Sequence, residues 1–174
     1  GLAKVAISLT TLDSKLCRTM EPRASAPHAR LRAIAALAKA GVPVGVATSP
    51  IIPGLNDHEI EALLEAATRA GAEWANFVTL RLPHEVSPLF RHWVETHYPN
   101  RANKIMGKVR EMHGGKDYDP EWGKRMRGEG VYAALIARRF GAARKRLGLT
   151  TRDIRLDCSQ FRVPPRPGDQ LSLL

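Results

Sequence analysis

Three short runs rich in branched aliphatic residues, at 4–10, 42–48 and 74–81, recur at a spacing in the thirties, and helical periodicity fills the intervals between them. That rhythm restricts the fold more than any other feature of the sequence. The first interval predicts a helix over about 28–40, with Leu31, Ile34, Ala35, Leu37 and Ala38 on one face and Gly41 as a left-handed C-terminal cap. The second predicts a helix over about 57–70, with Asn56 as N-cap, Ile60, Leu63, Leu64 and Ala67 inward and Gly71 at its end. Strand, helix, strand, helix, strand is the pattern of a parallel α/β sheet, whose strand C-termini gather on one rim where the connecting loops build a site.

Polar residues collect at that rim. The run "VAISLTTLD" carries Ser8, Thr10 and Asp13 at its end, and residues 48–56 and 81–85 fall at the same level. Hydroxyls there can face a ligand; they can equally satisfy nearby backbone groups, with Asp13 capping a turn. In "SPIIPGLND", Pro50 and Pro53 stiffen the exit from the second strand and Gly54 permits a reversal.

After Arg81 the rhythm changes. Ser87-Pro88 reads as a helix start with proline at the first position, followed by an apolar face of Leu89, Phe90, Trp93 and Val94. A helix over 101–112 precedes Gly114-Gly115, and a longer one spans about 129–147, with Val131, Leu135, Ile136 and Phe140 on one side. The chain thus divides into 1–86, a helical extension at 87–149 and an extended tail at 150–174.

The formal charge is +10, and residues 101–146 supply most of it, with thirteen Lys and Arg against five Asp and Glu. Clustered cations favour nucleic-acid phosphates, with Arg125, Arg127, Arg138, Arg139 and Lys145 as candidate contacts; the alternative is a solvated helical surface. "GKRMRGEG" sets Arg125 and Arg127 among glycines, where backbone N–H groups and guanidinium forks could cradle a phosphate. No run is apolar enough to cross a bilayer and no signal peptide is legible, so a cytoplasmic protein without a membrane partner is expected. Cys17 and Cys158 are too far apart in sequence for a CxxC pair, and a start at Gly1, almost on a strand, suggests a piece of something longer.

"VAISLTTLD", "TMEPRASAPHARLRAIAALAKAGVPVGV" and "SPIIPGLNDHEI", taken with "VTLRLP", "GGKDYD" and "RMRGEGVYA", resemble the later part of a radical S-adenosylmethionine (SAM) barrel, most closely the spore-photoproduct-lyase-like branch called DNA repair photolyases. The resemblance implies the C-terminal half of a partial (β/α)6 TIM-like barrel with an appended basic helical subdomain. It also implies SAM and a four-iron four-sulfur cluster as cofactors, reductive SAM cleavage to a 5'-deoxyadenosyl radical, and nucleic acid as substrate. The family's CxxxCxxC cluster loop is not in this sequence, so no metal ligand is assigned. Carried over by position, Ser8 and Thr10 contact SAM, Val46 and Ala47 bracket adenine, and Arg81 binds a carboxylate or phosphate at the barrel mouth. Glu21 and Arg30 match a pair that pins a loop to its helix, and Cys17, in a rim loop, is a hydrogen-donor candidate that reads better as an inert thiol.

The tail "VPPRPGDQLSLL" ends in a segment similar to the bacterial sliding-clamp-binding pentapeptide, with Gln170, Leu171, Leu173 and Leu174 as the docking residues. Against the enzyme reading stands a non-catalytic nucleic-acid or sliding-clamp binding module.

Overall fold

The computed structural model describes residues 2–150, 156–164, 166 and 168. Three parallel strands, β1 (Val5–Ser8), β2 (Val44–Ile51) and β3 (Trp74–Thr79), lie in that order. Ser8 is opposite Ala47, and Gly45 and Ala47 are opposite Trp74 and Asn76. Helices α1 (Ser14–Met20) and α2 (Pro27–Lys39) join β1 to β2, and a 3-10 turn (Asp57–Glu59) leads into α3 (Ile60–Arg69) before β3. Helices α4 (Val86–His97), α5 (Ala102–Glu111) and α6 (Gly130–Arg146) follow. This is the predicted α/β sheet; the described residues do not close a barrel.

Alternation along the strands gives the sheet two unlike faces. Ile7, Val44, Val46, Ala75 and Phe77 pack under Ile34 of α2, Leu63, Leu64 and Ala67 of α3, and Ile136 and Phe140 of α6. The Phe77 and Phe140 rings stand 4.6 Å apart. A second apolar cluster joins Ile52, Leu55, Leu80 and Leu82, beyond the strand ends, to Val94, Ile105, Met106 and Val109 of α4 and α5. No helix among the described residues is long and apolar enough to cross a membrane.

Several local expectations are corrected. Helix α1 was not anticipated because seven residues are too few to show a period; it starts on Asp13, whose Oδ1 accepts from the Lys15 N–H at 2.7 Å. Pro27, not His28, opens α2, a position where its missing N–H costs nothing. Asn56 makes no capping bond and is instead an internal tie described below. Pro88 is the third residue of α4, and Leu89 is 66% exposed. On α6 the inward face is Ala133, Ile136, Phe140 and Ala143, leaving Val131 83% exposed and Leu135 47% exposed. Its two alanines allow close approach to α3, which the size-weighted sequence reading overlooked.

Candidate functional site

The face of the sheet away from α2, α3 and α6 carries its side chains in rows across the strands. The first row is Ala6, Gly45 and Trp74, and the second is Ser8, Ala47 and Asn76. Gly45 has no side chain because the Trp74 indole lies on it: a Cβ there would meet ring carbons at 2.1 Å and 2.2 Å. The indole therefore covers Gly45, while Ala6 at the other end of that row is exposed. Ser8 and Asn76 are exposed in the next row with half-buried Ala47 between them, so this part of the face is open, small and polar. Beyond it, a cleft of about 360 Å³ is lined by Ser49, Pro50, Val78, Thr79, Leu80, Arg81 and Met126.

The β2 end shapes this cleft. The ladder register shifts between Thr48 and Ile51, where Pro50 has no N–H to give. The Ser49 hydroxyl accepts from the Val78 N–H at 2.9 Å, and its carbonyl accepts from the Ser8 and Thr10 hydroxyls at 3.5 Å each. Arg81 donates to the Tyr118 hydroxyl at 3.1 Å, while its buried Nε–H has no hydrogen-bond partner. A buried guanidinium N–H without an acceptor is uncommon, and an anionic group in the cleft would supply one.

Of the residues assigned to SAM, the structure places Ser8, Ala47 and Arg81 on or beside this open region. Thr10 is 2% exposed and its hydroxyl donates to Glu21 at 3.1 Å, which puts it beneath the rim. Val46 is fully buried on the helix-covered face, so only its backbone can border the open one. Glu21 and Arg30 form the expected pin: their ion pair is 2.9 Å, and Arg30 also donates to the carbonyls of Ser25 at 2.8 Å and Ser8 at 3.2 Å. Cys17 is not in a rim loop but buried within α1, its thiol near the Ser25 carbonyl. Asn76 was missed by the sequence reading; the alternation of "WANFVT" around Trp74 was the signal that could have shown it.

Three of the five candidate phosphate contacts already have partners within the protein. Arg139 is spent on Glu61 through a two-pronged bond of 2.9 Å and 2.6 Å, which holds the Glu61 carboxyl below its ordinary range against a smaller upward push from burial. Arg125 stacks on Trp122 at 4.2 Å and Arg127 on Phe77 at 4.1 Å. Burial, with Arg144 nearby, lowers the Arg127 pKa. The cradle expected around them is not formed, because the N–H groups of Lys124, Arg125, Arg127, Gly128 and Glu129 are all donated to backbone carbonyls. That segment is instead a clamp on β3: the Met126 carbonyl accepts from both the N–H and the hydroxyl of Thr79. Arg138 and Lys145 are exposed on α6. Gln170, Leu171, Leu173 and Leu174 lie outside the described residues.

Residues 1–67 match the family model of the radical SAM superfamily. The match supports that superfamily for this chain and runs from β1 through β2 into α3, the elements that build two thirds of the open face. The chain is also 31% identical over 136 residues to uncharacterized protein Rv2578c of Mycobacterium tuberculosis and to uncharacterized protein Mb2609c of Mycobacterium bovis. The aligned part is 77% of this chain and 38% of either relative, so the chain spans well under half the length of the curated relatives it matches. No solved structure matches it significantly.

The superfamily implies SAM and a four-iron four-sulfur cluster, and the two fit this chain differently. No three His, Cys, Asp or Glu side chains among the described residues converge on a metal position, and Cys17 is packed inside α1. The cluster does not fit here. SAM does: small side chains leave room at Ala47, the Ser8 hydroxyl and Asn76 amide are open, and the Arg81 guanidinium has an unmet N–H beside the cleft.

Proposed function

We propose that this chain is the C-terminal part of a radical SAM enzyme of the spore-photoproduct-lyase-like branch, in which the open sheet face is one wall of the SAM pocket. The observation that carries the proposal is the grading of that face, closed by Trp74 over Gly45 and open at Ser8, Ala47 and Asn76 toward the strand C-termini. When bound, SAM supplies the bond that is reductively cleaved. In this reading Ser8 and Asn76 hold its polar edge, Ala47 lets the backbone approach, and Arg81 donates its unpartnered Nε–H to a carboxylate. Cluster ligands come from elsewhere in the longer protein, as do the strands that pair with the outer edge of β1.

Nucleic acid is proposed as the substrate class, from the cations that are not tied up in ion pairs, and QLSLL at the C-terminus as a sliding-clamp docking peptide. Failure of a peptide of residues 165–174 to bind a bacterial clamp would remove the second suggestion. The first experiment is anaerobic production of the full-length protein, followed by SAM binding and reductive cleavage to 5'-deoxyadenosine and methionine. Ser8→Ala and Asn76→Ala should each weaken SAM binding by about three- to tenfold, the worth of one modest hydrogen bond. Unchanged SAM affinity in the Ser8→Ala, Asn76→Ala double variant would refute the assignment of this face.

A further inference from the structure

The first turn of α5 is electrostatically wrong for an isolated helix. Arg101, Lys104 and Lys108 follow one another at spacings of three and four along one face, starting at the helix N-terminus, and no acidic residue stands in the first turn. A helix N-terminus carries partial positive charge and disfavours cations, and like charges at i,i+4 repel. Only ring and carbonyl contacts relieve it, and those in part. Among the described residues Lys104 and Lys108 have no carboxylate partner, and the Lys108 ammonium rests 3.5 Å from the centre of the Tyr132 ring. Arg101 gives one N–H to the Gly54 carbonyl.

These cations border a cleft of about 480 Å³ between the loop after β2, α5 and α6, lined also by Gly54, Asp57, His58, Tyr132 and Arg139. Its single carboxylate is already engaged: Asp57 accepts from the Gly54 N–H at 3.0 Å and from the Tyr132 hydroxyl. The Gly54 turn, at φ +75°, brings the backbone within reach of the Lys108 stem, so the loop is fitted against the lysine. Three cations of α5 thus face one occupied carboxylate around a concave space, Arg139 being paired with Glu61, on a helix whose own electrostatics oppose the arrangement.

We infer that this cleft is a binding site for a phosphate group, held by Lys104 and Lys108 with Arg101 and the uncapped first turn of α5. The phosphate is that of a nucleic-acid backbone or of a free phosphate ester. The inference does not depend on the SAM reading, because the cleft lies outside the open sheet face and SAM binding is measured separately.

The test uses the full-length protein with two probes, a fluorescein-labelled single-stranded oligonucleotide and inorganic pyrophosphate. The pocket variant is Lys104→Gln with Lys108→Met, which removes two charges and keeps the Lys108 stem. The control is Lys39→Gln with Arg69→Gln, exposed cations at the ends of α2 and α3, with the same change in net charge. If the site takes nucleic-acid backbone, the pocket variant loses about tenfold in oligonucleotide affinity at low salt. Its log–log salt slope becomes shallower by about 1.4, since each single-strand phosphate contact contributes about 0.7. The control changes neither, and pyrophosphate competes weakly. If the site takes a small phosphate ester, pyrophosphate binds saturably and the pocket variant abolishes it. Equal loss in both variants would mean diffuse attraction, and no binding of either probe would mean no site; either result overturns the inference. The thermal midpoint of the pocket variant should stay close to the parent's, because relief of like-charge repulsion on α5 offsets the lost contact of the Lys108 ammonium with the Tyr132 ring; measuring it separates a loss of binding from a loss of fold.

Discussion

The contact between Gly45 and Trp74 can be tested quantitatively. A Cβ at position 45 would lie 2.1 Å from Cδ2, 2.2 Å from Cε2 and 2.6 Å from Cε3 of the indole. Carbon atoms in ordinary contact are about 3.5 Å apart, so the ring would have to retreat by roughly 1.4 Å. Gly45 is not among the glycines at positive φ, which leaves the ring as the reason for glycine. Overpacking of this kind costs about 1–3 kcal/mol. Trp74 is half-buried and its Nε1 makes no hydrogen bond, so it can yield, and a cost of about 2 kcal/mol is expected for Gly45→Ala. In a Trp74→Ala background the clash is gone, and the same substitution should stabilise by about 0.5 kcal/mol through reduced chain entropy in the unfolded state. The coupling is then about 2.5 kcal/mol, measured by urea unfolding of the four proteins of a double-mutant cycle. A cost for Gly45→Ala that persists in the Trp74→Ala background would refute the ring-over-glycine account, as would a cost below about 0.5 kcal/mol in the parent.

Three further outcomes follow from the ion pairs. Arg30→Met should cost about 3 kcal/mol in urea unfolding, because a buried guanidinium with three acceptors is removed; a loss under about 1 kcal/mol would show that Glu21 and the carbonyls rehydrate freely. Asp117 is raised by burial but more strongly lowered, in sum, by bonds from Ser87, Arg110 and Arg91. A depressed folded-state carboxyl contributes stability that is present above its ordinary value and lost as pH falls through the lower folded value. Asp117→Asn should therefore cost about 2 kcal/mol at neutral pH, with the gap to the parent closing in that acid window; a gap that stays constant with pH would oppose the assignment. Arg139→Gln should cost only about 0.5–1 kcal/mol, since the pair with Glu61 is partly exposed, and thermal melts should show the cost shrinking as Glu61 protonates.

The parallel sheet was legible because its information is local and periodic. The apolar alternation of β1 to β3 and the glycines closing α2 and α3 are readable in windows of a dozen residues. The Glu21 and Arg30 pin was legible only by resemblance, since nothing in a single sequence says that residues nine apart meet across a loop. What escaped depends on tertiary geometry. The inward face of α6 is chosen by how closely alanines let it approach α3, so the exposed Val131 and Leu135 misled a reading by side-chain size. Asn56, a good N-cap by type, was claimed by more distant partners, and the glycines near Arg125 serve a clamp on Thr79 instead of an anion cradle. The cations of α5 were visible as net charge, but their convergence on a cleft needed the β2 loop to be folded beside them.

That loop organises both candidate sites, and Asn56 is its centre. The amide is 2% exposed, donates to the carbonyls of Thr10 at 2.9 Å and Pro50 at 3.1 Å, and accepts from the Ile52 N–H at 2.7 Å. One side chain thereby ties the end of β1 to both sides of the turn after β2. Glu59 reinforces the tie through the Thr11 hydroxyl at 2.8 Å and the Leu12 N–H at 2.6 Å. On one side the fixed segment presents Ser49 and Pro50 to the cleft beside Arg81; on the other, four residues later, it presents Gly54 and Asp57 to Lys108 and Tyr132. Burial and the Asp57 carboxylate push the Tyr132 phenol up to about 12, so across the physiological range it remains a donor and holds Asp57 in place. A phosphate at α5 and a ligand on the sheet face would then be held at a separation set by a short, buried, doubly braced turn. For an enzyme acting on a phosphate-bearing chain, that arrangement would fix the distance between the backbone it grips and the cofactor it positions without requiring either site to move.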